Sequence, residues 1–123
     1  MSEALSVLIV EDEAILAMTL ERMLMRLGSD VCAKVASGED AIRVYSEKLP
    51  DLVLLDIQLR TEMTGIEVAR ILRSRYGDIG LAFMTAYGTE EIRAEADSIQ
   101  PLAILKKPVG ESSVKALLDL IRN

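Results

Sequence analysis

Residues that could perform chemistry stand at or just after the ends of four short apolar runs. They comprise two adjacent carboxylates, a third carboxylate, a hydroxyl and an ammonium: Glu11, Asp12, Asp56, Thr85 and Lys107. The runs themselves cover residues 7–10, 52–55, 81–84 and 102–105. If these runs are parallel strands, their ends share the sheet edge at which open α/β sheets bind ligands. Carboxylates there can hold a divalent cation beside a nucleophilic aspartate, a combination that favours phosphoryl transfer.

Strand-like and helix-like segments alternate along the whole chain. A further strand is predicted at residues 31–36, after Gly28 ends the first helix, and Ser37 is a predicted helix N-cap. The spacing of apolar residues predicts helices over residues 13–27, 39–48, 65–76, 90–98 and 111–121. The apolar stripe of the first helix is assigned to Ile15, Leu16, Met18, Leu20, Met23, Leu24 and Leu27.

Five β/α units predict a parallel sheet covered on both faces. Parallel strands need right-handed crossovers, and nearly continuous apolar strands are typical of a sheet buried on both sides. A closed eight-unit barrel would need about twice this length. We therefore predict an open three-layer α/β/α sandwich, with the helix at residues 90–98 as its most mobile part because its apolar content is low.

Composition excludes several classes of function. The net charge of -6 argues against direct binding of nucleic acid, and no apolar run approaches the length of a membrane span. The chain contains no histidine, which excludes histidine-based catalysis and histidine-ligated metals. Cys32 is the single cysteine, so neither an internal disulfide nor a zinc site made of several cysteines can form. We expect a soluble cytoplasmic protein of one domain, with Cys32 as a small core residue.

The motifs together resemble the receiver domain of two-component response regulators, the CheY-like family. Five motifs occur in the right order over almost the entire chain: Glu11-Asp12-Glu13, Asp56, Gly65, Thr85-Ala86 and Lys107-Pro108. The resemblance implies a flavodoxin-like (βα)5 fold with a five-stranded parallel sheet of order 2-1-3-4-5. We expect residues 1–123 to form a single receiver domain, without the output domain that many members carry. Such a domain catalyses its own phosphorylation and dephosphorylation but is not a classical enzyme.

The resemblance implies that Asp56 is the phosphoacceptor of a phosphorelay. The phosphoryl group would come from a phosphohistidine of a sensor histidine kinase or a histidine phosphotransfer protein. A carboxylate suits this role because it is ionised at neutral pH and can form an acyl phosphate. An aspartate that ends a strand can instead serve only to open a turn. The four accompanying motifs favour the phosphoacceptor role.

By the same resemblance, Glu11, Asp12 and Asp56 would hold Mg²⁺ together with the main-chain carbonyl of Gln58. Crowded carboxylates raise one another's pKa or require a cation, and Mg²⁺ prefers few carboxylates and several waters. Asp12 is expected to cap the first helix as well.

Three further groups are assigned to the phosphorylated state. The resemblance implies that the functional lysine directly precedes proline, which selects Lys107 over Lys106. Lys107 would pair with Asp56 before reaction and with the phosphoryl group afterwards. The Thr85 hydroxyl and the main-chain amide of Ala86 would donate to phosphoryl oxygens. The resemblance also implies a cis bond before Pro108.

The chain departs from the common receiver pattern at three places. Ile104 replaces the usual aromatic residue, and Tyr87 could substitute for it or be a plain loop residue. The loop at residues 60–64 lacks the proline that is usual in receivers. It also places Gly65 one residue later than in the commonest members of the family. Only two residues follow the predicted last helix, so such a receiver would bind another protein, pass its phosphoryl group onward or be part of a longer chain. We expect output through residues 90–99 and 104–117, to an unknown downstream protein or to a second copy in a homodimer.

Three other functions compete with this interpretation. A flavodoxin-like cofactor binder needs a phosphate loop after its first strand, where this chain has Glu11, Asp12 and Glu13. A haloacid-dehalogenase-type phosphatase carries an Asp-x-Asp motif at that position, and this chain lacks it. A receiver fold that binds partners without phosphorylation is the third, and the intact set of five motifs argues against it.

Overall fold

The computed structural model describes residues 4–86 and 88–122. The elements in chain order are β1 (Ser6–Val10), α1 (Ala14–Arg26), β2 (Asp30–Val35), α2 (Gly38–Lys48), β3 (Leu52–Asp56), α3 (Gly65–Tyr76), β4 (Leu81–Thr85), α4 (Glu90–Ser98), β5 (Ala103–Lys106) and α5 (Glu111–Arg122). Each predicted element is present, and its ends lie within about one residue of those expected, which is the usual uncertainty of helix and strand ends.

The five strands form one sheet of order β2-β1-β3-β4-β5, and every neighbouring pair is parallel. This order confirms the predicted flavodoxin-like architecture. Strands β3 and β4 are buried along their whole length, whereas the edge strands β2 and β5 are only partly buried. The continuous apolar runs of the central strands therefore reflect burial on both faces, as parallel sheets require.

Two apolar cores lie on opposite faces of the sheet because successive strand residues point to opposite sides. In β3, Val53 and Leu55 join the core beneath α2, α3 and α4, whereas Leu52 and Leu54 join the core beneath α1 and α5. Helix α4 contributes only Ala96 as a buried residue, which agrees with its low apolar content. Among the described residues, no helix has the length and apolarity needed to cross a membrane.

The predicted apolar stripe of α1 is wrong at two positions. Ile15 is 78% exposed and Met18 is 42% exposed, while Ala17, Leu20 and Leu24 are the buried residues of this helix. The three buried residues follow the i, i+3, i+7 spacing of one helix face. This face packs on the sheet, whereas the adjacent face that carries Ile15 and Met18 is exposed. Cys32 is partly buried at the edge of a core, in agreement with its predicted packing role.

Local signals at helix ends account for several boundaries. The Ser37 hydroxyl accepts from the Asp40 amide, as predicted for an N-cap. Gly28 has a φ of 85°, a conformation that glycine adopts without steric cost, and it follows the end of α1. Helix α3 begins with a capping box of Thr64 and Glu67, a Thr-x-x-Glu signal that the sequence analysis overlooked.

Candidate functional site

The carboxyl edge of the sheet brings the predicted residues together. Glu11 directly follows β1, Asp56 and Thr85 are the last residues of β3 and β4, and Lys107 directly follows β5. Three of these side chains are almost fully buried, with exposures of 3% for Glu11, 3% for Asp56 and 8% for Thr85. Burial of this many polar groups requires partners, because an unpaired buried charge is costly.

Lys107 provides a partner for two of the carboxylates. Its Nζ lies 2.7 Å from Glu11 Oε1 and 3.1 Å from Asp56 Oδ2, and its side chain is 14% exposed. Burial alone would lower the pKa of Lys107, but the hydrogen bonds to Glu11 and Asp56 raise it above its ordinary value. The ammonium is therefore charged at neutral pH. Burial raises the pKa of Glu11, and the hydrogen bond from Lys107 offsets part of this rise.

The three carboxylates form a cluster suited to a cation. Glu11, Asp12 and Asp56 each offer an oxygen that lies within 4.8 Å of the other two. Among the described residues, Lys107 is the only cationic side chain that forms an ion pair with a carboxylate of this cluster. Three negative charges thus face one positive charge, and a divalent cation would remove the imbalance.

The predicted capping role of Asp12 is wrong. The N-cap residue of α1 is Glu13, which makes no side-chain capping bond, and the Asp12 carboxylate instead accepts from the main-chain amide of Arg60 at 3.0 Å. The Glu11 carboxylate accepts from the Glu13 amide at 3.1 Å. Asp12 therefore ties the loop after β3 to the end of β1.

A close backbone approach sets the position of Asp56. The Asp56 Oδ1 atom accepts from the Gln58 amide at 2.9 Å, and the Gly65 amide donates to the Ile57 carbonyl at 3.0 Å. A Cβ atom at Gly65 would lie 2.1 Å from the Asp56 carbonyl oxygen. Only glycine allows α3 to begin this close to β3, so the Gly65 motif has a direct steric reason.

The end of β4 is linked to both neighbouring segments. The Thr85 carbonyl accepts from the Lys107 amide at 2.8 Å. The Ala86 amide, predicted to donate to a phosphoryl group, donates to the side-chain oxygen Oε1 of Gln58 at 3.3 Å. Only the main-chain carbonyl of Gln58 was predicted to take part in the site. No sequence signal marks this side-chain contact, because it joins two loops separated by 28 residues.

A cavity of about 350 Å³ opens beside Asp56. Its lining residues are Asp12, Glu13, Asp56, Gln58, Arg60, Ala86 and Lys107. A larger cavity of about 630 Å³ lies at the opposite edge of the sheet, where the Arg73 guanidinium donates to the carbonyls of Ile79 and Gln100. That larger cavity contains none of the predicted site residues, so the chemistry is assigned to the smaller one.

Residues 7–119 match the family model of the response regulator receiver domain. The chain belongs to this family. It is therefore a receiver domain of a two-component response regulator, a class of signalling proteins.

Known relatives of this receiver domain are regulators from several bacteria. The chain is 31% identical over 117 residues to the phyllosphere-induced regulator PhyR of Methylorubrum extorquens, covering 94% of this chain and 43% of PhyR. It is 39% identical over 87 residues to the regulatory protein LuxO of Vibrio vulnificus, covering 71% of this chain and 19% of LuxO. The receiver domain thus spans less than half the length of either protein.

Solved receiver domains share its fold. The signal receiver domain of a modulated diguanylate cyclase from Desulfovibrio desulfuricans G20 has a TM-score of 0.89 at 31% identity, covering 97% of this chain and 94% of that one. The PhyR receiver domain of Erythrobacter litoralis has a TM-score of 0.84 at 31% identity, covering 98% of this chain and 91% of that one.

The remaining features implied by the resemblance can be located in this receiver domain. The peptide bond before Pro108 is cis, as implied. Lys106 is exposed, whereas Lys107 points into the acidic cluster. Ile104 is partly buried and lines a small cavity of about 170 Å³ with Thr85 and Ala86. Tyr87, proposed as a substitute for the absent aromatic residue, lies outside the described residues.

Proposed function

We propose that this receiver domain accepts a phosphoryl group on Asp56. The donor would be a phosphohistidine of a sensor histidine kinase or a histidine phosphotransfer protein, and the reaction would depend on Mg²⁺. The contact between Lys107 and Asp56, beside two further carboxylates, is the observation that carries this proposal. The proposed nucleophile, an ammonium and two further carboxylates thus lie together beside one cavity.

The donor set of this cluster fits Mg²⁺. Glu11, Asp12 and Asp56 would hold the ion together with the main-chain carbonyl of Gln58, and the adjoining cavity of about 350 Å³ has room for the waters that Mg²⁺ retains. When bound, the ion offsets the negative charge of the phosphoryl oxygens as they approach the carboxylates. Hard oxygen ligands and an excess of negative charge both favour this ion.

The covalent step exchanges one bond at phosphorus for another. A carboxylate oxygen of Asp56 attacks the phosphorus, and the bond between phosphorus and the imidazole nitrogen breaks. The electron pair of that bond leaves with the imidazole, which then takes a proton from water. Asp56 needs no base, because its side chain is the nucleophile in its ionised form.

Neighbouring groups then bind the new phosphoryl oxygens. The Lys107 ammonium transfers from Asp56 Oδ2 to a phosphoryl oxygen, a move of one hydrogen bond that keeps its charge paired. The Thr85 hydroxyl and the Ala86 amide donate to the others. Since the Thr85 carbonyl also holds the Lys107 amide, a shift of β4 is passed directly to the end of β5.

We propose that the output surface consists of α4, β5 and α5. Helix α4 has one buried residue, fewer than any other helix in the described part of the chain, so it is the helix held least firmly by the core and the easiest to displace. Thr85 ends the strand before α4, and Lys107 directly follows β5. Movement of these two residues therefore changes the surface between α4 and β5. A downstream protein or a second copy would bind there.

Intact-mass measurement after incubation with acetyl phosphate and Mg²⁺ tests the phosphoacceptor assignment. Wild type should gain one phosphoryl group and Asp56→Asn should gain none. Asp78→Asn is the matched control, since this exposed carboxylate precedes β4 at the opposite edge of the sheet, and it should behave as wild type. Phosphate on the Asp56→Asn variant, located elsewhere by tandem mass spectrometry, would show that the nucleophile is another residue.

A further inference from the structure

The side chain of Gln58 holds the main-chain donor that the phosphoryl group is proposed to use. Its Oε1 atom accepts from the Ala86 amide at 3.3 Å, and both residues line the cavity beside Asp56. The contact joins the loop after β3 to the loop after β4. It therefore bridges the phosphorylation site and the segment that leads into α4.

One amide hydrogen cannot serve two acceptors fully. The Ala86 amide has a single N–H, so its bond to Gln58 competes with a bond to a phosphoryl oxygen. A charged phosphoryl oxygen is the stronger acceptor, because hydrogen bonds to ionised groups exceed those between neutral groups. At 3.3 Å the bond to Gln58 is slightly longer than usual for an N–H···O bond, which makes it the weaker competitor.

We propose that Gln58 is a positioning residue that masks the Ala86 amide until Asp56 is phosphorylated. This proposal rests on the proposed function. The backbone of Gln58 stays in place, because its amide donates to Asp56 Oδ1 at 2.9 Å, while the flexible side chain turns away. Release of Gln58 from the Ala86 amide also removes this contact between the loop after β3 and the loop after β4.

The physical consequence is a measurable penalty on binding of the phosphoryl group. Each binding event must break the contact between Gln58 and Ala86 before the amide can donate to its new acceptor. Removal of the Oε1 acceptor should therefore strengthen binding of a phosphoryl mimic by about fivefold, the value of one net neutral hydrogen bond.

Beryllofluoride binding in the presence of Mg²⁺ tests the proposal without covalent chemistry. Isothermal titration calorimetry is run on wild type, Gln58→Met and Gln58→Asn. Methionine has a similar length and only a weak acceptor, whereas asparagine keeps the carboxamide but shortens the arm by one methylene. Both variants should bind beryllofluoride about fivefold more tightly than wild type.

The Ala86 amide resonance in ¹H–¹⁵N NMR spectra reports directly on the hydrogen bond to Gln58. It would not change if Gln58 only supported the fold. In the unbound variants this resonance should shift upfield and exchange faster with solvent, while the resonances of β1 and β3 stay in place and show that the fold is intact. Equal beryllofluoride affinity in all three proteins, with an unchanged Ala86 resonance, would overturn the role of Gln58 alone. If wild type binds no beryllofluoride and takes up no phosphate from acetyl phosphate, the proposed function falls, and the masking role falls with it.

Discussion

The Gly65→Ala substitution should destabilise the protein through a clash that no side-chain movement can relieve. A Cβ atom at this position would lie 2.1 Å from the Asp56 carbonyl oxygen and 2.8 Å from both the Asp56 carbonyl carbon and the Ile57 Cα atom. All three neighbours are backbone atoms. Since carbon contacts become favourable only near 3.5 Å, the start of α3 or the end of β3 must move by about 1 Å.

The size of the effect follows from two opposing contributions. Insertion of a methyl group into a well-packed region costs about 1–3 kcal/mol, and a contact with backbone lies at the upper end of this range. Replacement of a helical glycine by alanine returns about 0.5–1 kcal/mol through the lower entropy of the unfolded chain. We expect a net loss of about 2 kcal/mol in the free energy of unfolding, or about 8 °C in the melting temperature.

Urea unfolding followed by far-UV circular dichroism measures this loss, because the chain has no tryptophan for a fluorescence assay. Gly110→Ala is the control, since a Cβ atom there meets nothing within 4 Å. Displacement of Asp56 should also slow phosphorylation by acetyl phosphate by at least about tenfold. Equal midpoints for Gly65→Ala and Gly110→Ala, with equal phosphorylation rates, would refute the assignment of Gly65 as the residue that sets the position of Asp56.

Three further outcomes are expected. Lys107→Met should lower the free energy of unfolding by about 2 kcal/mol at pH 7, because Glu11 and Asp56 lose their buried cation. The loss should be smaller at pH 4, because burial raises the pKa of Glu11 and so favours its neutral form on acidification; equal losses at both pH values in urea titrations would contradict this. Asp12→Asn should weaken Mg²⁺ binding about tenfold, as measured by calorimetry, and should slow phosphorylation. If wild type is still phosphorylated at full rate in excess EDTA, the reaction does not depend on Mg²⁺. Beryllofluoride should alter hydrogen exchange in residues 88–99, and changes confined to α1 would disprove the proposed output surface.

The sequence determined the architecture because its signals are local and repeated. Each central strand is a continuous apolar run, each helix has an apolar stripe, and Ser37 and Gly28 mark element boundaries by their own backbone chemistry. Parallel connectivity then places the ends of the strands at one edge. The meeting of Asp56 with Lys107 was predictable for this reason, although 51 residues separate them.

Contacts between loops were decided only by the tertiary structure. Asp12 accepts from the Arg60 amide, and the Gln58 side chain accepts from the Ala86 amide, because the loops after β1, β3 and β4 converge at the same edge. No periodic pattern encodes a loop conformation, so residue type alone favoured a helix cap for Asp12. Likewise Ile15 is apolar but exposed, because the rotation of α1 is set by the shape of the sheet that it covers rather than by the hydrophobicity of each residue.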